Sequence, residues 1–153
     1  MTDSSGYENN STYINLTLYS NSPRYKYSSH FNGITSCIPV AYNSLVPDNI
    51  FTMNLWFKKD ALGSKNWETL FGGPSGFELD TRNNTAQTLS LYGASTRGTL
   101  YSKFNFGEWY MVTMVRDGTN EIYYVNGEHS KTIEAKSMPT GSYFIGAWKT
   151  ATS

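Results

Sequence analysis

Hydrophobic and polar residues alternate with a period of two along most of this chain, and no stretch carries the 3.6-residue period of a helix. Phe51, Met53, Leu55 and Phe57 fall on one side of an extended segment, with Thr52, Asn54, Trp56 and Lys58 on the other. Ile14, Leu16 and Leu18 alternate with Asn15 and Thr17 in the same way. The densest apolar runs, Trp109 to Val115 and Ile122 to Val125, flank Asp117-Gly118-Thr119-Asn120 and end on Asn126-Gly127. β-branched and aromatic residues suit a pleated, half-buried surface, and Asp-Gly and Asn-Gly are turn pairs, so the segment predicts a β-hairpin. Trp109, Tyr110, Val112 and Met114 are expected in the core.

Further strands are predicted at 36–40, 68–71, 76–80, 88–92, 99–102, 131–134 and 142–148, with Pro39 marking an edge or a bulge. Turn clusters separate them, among them Gly72-Gly73-Pro74-Ser75-Gly76 and Arg82-Asn83-Asn84. One helical turn is expected near Ser44 to Asp48. Many short strands with frequent turns predict an all-β, antiparallel two-sheet sandwich, with residues 1–153 as a single domain.

Composition narrows the function. Twelve Lys and Arg balance twelve Asp and Glu, and no basic cluster appears, which argues against nucleic acid as a partner. Lys58-Lys59-Asp60 reads as a solvated strand end. Charged residues are only 16% of the chain, yet mean hydropathy is −0.47, so polarity comes from Ser, Thr, Asn, Gly and Tyr. No apolar run approaches the ~20 residues of a membrane helix, and the N-terminus lacks the basic start and apolar stretch of a secretory signal. Cys37 has no partner for an internal disulfide and reads as a small buried hydrophobe.

The order of motifs then becomes specific. Asp3-Ser4-Ser5-Gly6 opens the chain, and Phe31-Asn32-Gly33 and Phe51-Thr52-Met53-Asn54-Leu55-Trp56 follow. Gly107-Glu108-Trp109, Arg116-Asp117-Gly118, Tyr124-Val125-Asn126-Gly127 and Phe144-Ile145-Gly146 complete the series. In this order, over nearly the whole length, the chain resembles a laminin-G-like, concanavalin A-like jelly roll of the bacterial and phage type. Ser22-Pro23-Arg24-Tyr25 before Phe31-Asn32-Gly33 is similar to phage tail and prophage structural proteins carrying this domain.

The ends depart from that pattern. Family members usually begin with an apolar strand and finish on one resembling Phe-x-Gly-x-Ile-x-Asp-x-Arg-Ile-Tyr, and neither stands between Met1 and Ser153. The resemblance implies that these strands lie side by side. Their absence predicts an open edge, completed by the rest of a longer protein or by another chain through strand pairing or oligomerisation.

Laminarinase-like glycosidases share this general fold, and the resemblance implies a test for their Glu-x-Asp-x-Glu pattern. Alternation would put such carboxylates on one face. Glu78 and Asp80 fit its first half, but Arg82 and Asn83 stand where the second Glu would be, so no catalytic residue is assigned. His30 and His129 have no metal-ligand spacing. Asp80 with Asn83, or Asp117 with Asn120, offers hard oxygens of the kind calcium takes. Ordinary turn chemistry accounts for both, and no metal or other cofactor is expected.

What remains is recognition. A sugar-binding sandwich needs aromatic faces for stacking and Asn, Asp or Arg for hydroxyls, gathered on loops that the sheets hold. Trp67, Asp80, Asn83, Tyr92, Arg97 and Trp148 are the candidate ligand-binding residues, and Trp67 and Trp148 as closures of the core are the bland alternative. Trp56 either lines a concave surface or lies beneath a loop. The expected function is a non-catalytic carbohydrate or cell-surface-polymer binding module of a phage tail or tail fibre, located in the virion or outside cells. A virion assembly module that contacts only protein is the alternative, and a glycoside hydrolase fragment is the third.

Overall fold

A computed structural model describes residues 10–12, 15–19, 27–40, 50–61, 63, 66–74, 78–82, 87–93, 96–101, 103–135 and 141–147. Twelve strands occur among them: β1 (Thr17–Tyr19), β2 (Ser28–His30), β3 (Ile38–Val40), β4 (Ile50–Lys58), β5 (Trp67–Gly72) and β6 (Glu78–Arg82), then β7 (Leu89–Gly93), β8 (Thr96–Tyr101), β9 (Trp109–Asp117), β10 (Asn120–Val125), β11 (Glu128–Glu134) and β12 (Tyr143–Ile145). They form a four-stranded sheet in the order β11-β10-β9-β4, a six-stranded sheet in the order β3-β12-β5-β6-β7-β8, and a small β1-β2 pair. All pairings are antiparallel.

The expected hairpin is β9-β10, and a second turn carries it on into β11. Asp117 closes the first turn: its Oδ1 accepts from Thr119 N at 2.9 Å and Asn120 N at 2.6 Å, while Gly118 takes φ +94. Asn126 and Gly127 take φ 52 and 86 between the paired residues Val125 and Glu128, the two positive values a type I′ connection requires.

β9 alternates strictly. Tyr110, Val112, Met114 and Arg116 are buried, while Trp109, Met111, Thr113 and Val115 are half-buried on the opposite face. Trp109 therefore does not join the core as expected, because it has the parity of the outer face.

The core lies between the two large sheets. Phe57, Tyr110, Val112, Met114, Tyr123 and Val125 meet Phe71, Leu79, Leu89, Leu91, Leu100 and Tyr143 there, with Phe104 between. Its rings pack in pairs, with Phe57 stacked on Tyr110 at 5.8 Å and Phe71 on Tyr143 at 5.6 Å between centroids. Along one side, Ser130 Oγ of β11 donates to the Leu100 carbonyl of β8. Cys37 is buried, as expected for a small packing residue.

Two motifs met in the sequence touch here. Asn32 Oδ1 accepts from the backbone N–H groups of Ile34, Thr35 and Ser36 at 2.9, 2.9 and 3.0 Å, which holds the loop before β3. A Cβ added at Gly146 would collide with the ring of Phe31, so the Phe-Asn-Gly tripeptide covers the Ile-Gly end of β12. Pro39 does sit on an edge strand, β3.

Other expectations shift. The first strand is Thr17–Tyr19, with all three residues exposed; its partner is β2, so Leu18 does not join the core that the alternation suggested, and Leu16 is only half-buried. The 76–80 strand runs two residues later, as β6. Lys59 is not solvated: its side chain is 9% exposed, it pairs with Glu68, and its Nζ donates to Thr81 Oγ1 at 3.3 Å. The 44–48 turn lies outside the described residues.

One buried ion pair sits beside the first turn. Arg116 and Glu121 face each other across β9 and β10 at 3.2 Å, with side chains only 2% and 6% exposed. Tyr123 donates its hydroxyl to Glu121 Oε2 at 2.8 Å, and burial, then the Glu121 carboxylate, holds that hydroxyl protonated well above the ordinary tyrosine range. Removing one member of such a pair strands a buried charge, whereas replacing both with apolar side chains does not. Glu121→Ala is expected to cost about 3–5 kcal/mol in urea unfolding, and Arg116→Met with Glu121→Leu to recover most of that loss.

Candidate functional site

The register of the six-stranded sheet decides which predicted residues meet. On β6, Leu79 and Thr81 point into the sandwich, so Glu78, Asp80 and Arg82 belong to the outer face. Cross-strand pairing sets out three rows: Trp67 with Arg82, then Thr69, Asp80, Ser90 and Thr99, then Gly72, Glu78, Tyr92 and Arg97.

Trp67 and Arg82 make a direct contact. The guanidinium carbon lies 4.9 Å from the centroid of the indole ring, within range of a cation–π interaction. Arg82 is exposed and Trp67 half-buried, so the pair brings an indole and a fork of N–H donors together at the strand ends. Arg82 is the residue that sequence reasoning missed: it counted there only as a missing acid. Its position directly opposite Trp67 depends on the β5-β6 register, which contains a bulge between Thr69 and Phe71.

Asp80 is fully buried, at 0% exposure, so it presents no surface to solvent. Tyr92 and Arg97 pair with each other two rows from Trp67, about 14 Å along the strands. Asn83 and Trp148 lie outside the described residues. Glu78 and Asp80 share a face, as a glycosidase pattern demands, but both are buried, and Arg82 takes the third place.

The second candidate calcium pair is engaged in backbone capping. Besides its two backbone contacts, Asp117 accepts from Asn120 Nδ2 at 3.3 Å through Oδ2. Among the described residues, no group of three or more His, Cys, Asp and Glu is placed to hold a metal ion. His30 packs edge-on against Tyr19 and His129 against Tyr124.

A second surface carries more aromatic area. On the outer face of the four-stranded sheet, Trp56 pairs with Met111, Lys58 with Trp109, and Asn54 with Thr113, which in turn pairs with Tyr124. None of these side chains belongs to the core cluster. The period-two pattern of 51–58 had already separated Trp56 and Asn54 from the core; Trp109 was missed because an apolar run does not show which parity faces inward.

The fold can now be compared with known proteins. Residues 32–151 match the model of the concanavalin A-like lectin/glucanases superfamily. The chain belongs to that family. Domain 4 of AbnA, a GH43 extracellular arabinanase from Geobacillus stearothermophilus solved with arabinotriose, superposes with a TM-score of 0.63 at 20% identity, covering 88% of this chain and 68% of that one. Botulinum neurotoxin type C, whose cell entry is described as dependent on two ganglioside molecules, gives a TM-score of 0.63 at 16% identity, covering 95% of this chain but 39% of the toxin's. At these identities the likeness is one of fold. No curated protein matches the sequence.

The turn at Asp117 yields a prediction. N–H donors from Asn120 and then Thr119 hold its carboxyl below the ordinary value of 3.8. A folded value below the unfolded one means the carboxylate's contribution is complete above 3.8 and lost as pH falls through the folded value. Urea midpoints measured from pH 5 to pH 2 are expected to fall less steeply for Asp117→Asn than for the unsubstituted chain below pH 3.8.

Proposed function

We propose that this chain is a non-catalytic carbohydrate-binding module in which Trp67 and Arg82 form the principal ligand contact. The stacked pair at the strand ends carries the reading, because an indole offers a flat surface for sugar C–H groups and a guanidinium offers hydroxyl donors. The family supports it, as does the presence of sugar ligands or sugar-dependent entry in the descriptions of both fold neighbours. The buried Glu78 and Asp80, with Arg82 in the third place, favour binding over hydrolysis. Tyr92, Arg97, Asn83 and Trp148 remain in the proposed set of ligand-binding residues, and calcium is not invoked.

The finer proposal is a receptor-binding domain of a phage tail or tail fibre that recognises a cell-surface polymer, released by lysis. Motif order, with Ser22-Pro23-Arg24-Tyr25, supports it. A protein-contact role in virion assembly is the second reading. The observation in its favour is that β4, nine residues long, borders the four-stranded sheet among the described residues, and a long edge strand is suited to strand addition.

A glycan array that includes bacterial cell-wall fragments tests the proposal. A specific signal is expected, reduced at least tenfold by Trp67→Ala or Arg82→Ala with the thermal melt kept within a few degrees, and Trp148→Ala tests the place of Trp148 in the proposed set. Release of reducing ends from β-glucan that disappears in Glu78→Gln would replace binding with catalysis. Absence of any signal, with defined oligomers or capture of a longer tail protein, would favour assembly.

A further inference from the structure

The outer face of the four-stranded sheet has a composition that sheet packing does not account for. Strict alternation sends Tyr110, Val112, Met114 and Tyr123 inward and leaves Trp56, Trp109 and Tyr124 half-buried on the other side. Met111 lies beside Trp56 in the row between those of Trp109 and Tyr124, and Val115 stands one row beyond Tyr124. With strands about 4.8 Å apart and a rise of about 3.4 Å per residue, the backbone of Trp56 stands about 8 Å from that of Trp109 and about 12 Å from that of Tyr124. This is a broad, flat array rather than a point site.

The polar groups on the same face identify its occupant. Asn54 and Thr113 share the Tyr124 row, beside the Trp56 row, and the Asn54 amide donates to the Thr113 hydroxyl at 2.7 Å at the surface. That leaves a second amide hydrogen, an amide oxygen and a hydroxyl hydrogen directed outward. His129 packs edge-on against Tyr124 at 5.8 Å, and its Nε2 lies 3.0 Å from Thr132 Oγ1. Ionic side chains stand toward the margins: Lys58 lies opposite Trp109 and pairs with Asp60 at 3.0 Å, and Asp117 and Glu134 are the last residues of β9 and β11. The central rows hold none but the imidazole of His129. An acidic polymer finds only Lys58, whose charge Asp60 already balances, and an apolar protein surface would bury the Asn54 and Thr113 groups without partners, at a cost. A neutral sugar chain satisfies both demands, since its C–H faces cover the rings and its hydroxyls pair with the amide and hydroxyl.

We propose that the outer face of the β11-β10-β9-β4 sheet is a second carbohydrate surface, which takes an extended, uncharged polysaccharide across Trp56, Trp109 and Tyr124. The proposal rests on the reading of the chain as a sugar-binding module but assigns contact to a different face from Trp67 and Arg82. Two faces on one sandwich allow one chain to bridge two polymer strands.

Affinity gel electrophoresis of the full chain, in gels containing arabinan, xylan, β-glucan, galactomannan or acidic polygalacturonate, tests it. Retardation is expected in at least one neutral gel and not in polygalacturonate. Trp56→Ala, Trp109→Ala and Tyr124→Ala should each weaken it roughly three- to tenfold, with near-complete loss in the double variant Trp56→Ala/Tyr124→Ala. Trp56→Phe, which keeps a ring and guards against misfolding, should retain most of it. Retardation lost on Trp67→Ala but unchanged by all three platform variants overturns this surface and leaves the module reading standing. Retardation in polygalacturonate alone overturns the neutral-ligand assignment. Absence of retardation in every gel overturns both readings, and a dimer in sedimentation that Trp56→Ala dissociates would show the face to be a protein contact.

Discussion

Strand β9 sets the register on which the four-stranded sheet and its outer face depend. It pairs with β10 on one side and β4 on the other, and its turn with β10 is locked by the Asp117 carboxylate. Because side chains alternate strictly, a slip of one residue would exchange Tyr110, Val112, Met114 and Arg116 for Trp109, Met111, Thr113 and Val115. The slip would expose the Arg116 guanidinium, leave Glu121 buried without it, and turn Trp109 and the Thr113 hydroxyl inward. The Arg116–Glu121 contact opposes it, since that ion pair forms in only one alignment of the two strands. The Arg-Asp-Gly motif thus combines two devices, a buried cation that fixes alignment and a carboxylate that fixes the turn.

Much of this architecture could be read from the residues. Period-two alternation was sufficient for the hairpin and for β4, and Asn126-Gly127 marked a turn because positive φ is rarely tolerated elsewhere. Pro39 announced an edge strand. What could not be read was parity relative to the sandwich: Trp109 and Tyr110 are both aromatic, and only the opposite sheet decides which is buried. Lys59 misled for a related reason. A lysine at a strand end is usually solvated, and its burial depends on Glu68 and Thr81, which the six-stranded sheet supplies.

The candidate site was legible only in part. Trp67 stands out in any search for sugar-stacking residues, but its partner Arg82 emerges from a register that includes a bulge, which no local pattern encodes. Asp80 has the right chemistry for a ligand and the wrong exposure. Tyr92 and Arg97 are cross-strand neighbours of one another, at the far end of the rows from Trp67.

The contact of Phe31 with Gly146 joins a tripeptide near the beginning of the chain to one near its end, and β3 likewise takes its strand partner from β12, far along the chain. That flank is expected to assemble after the hairpins, because its contacts close far larger loops than theirs. Until then the short, proline-bearing β3 is a poor template for stray pairing, which protects the nascent chain during the wait.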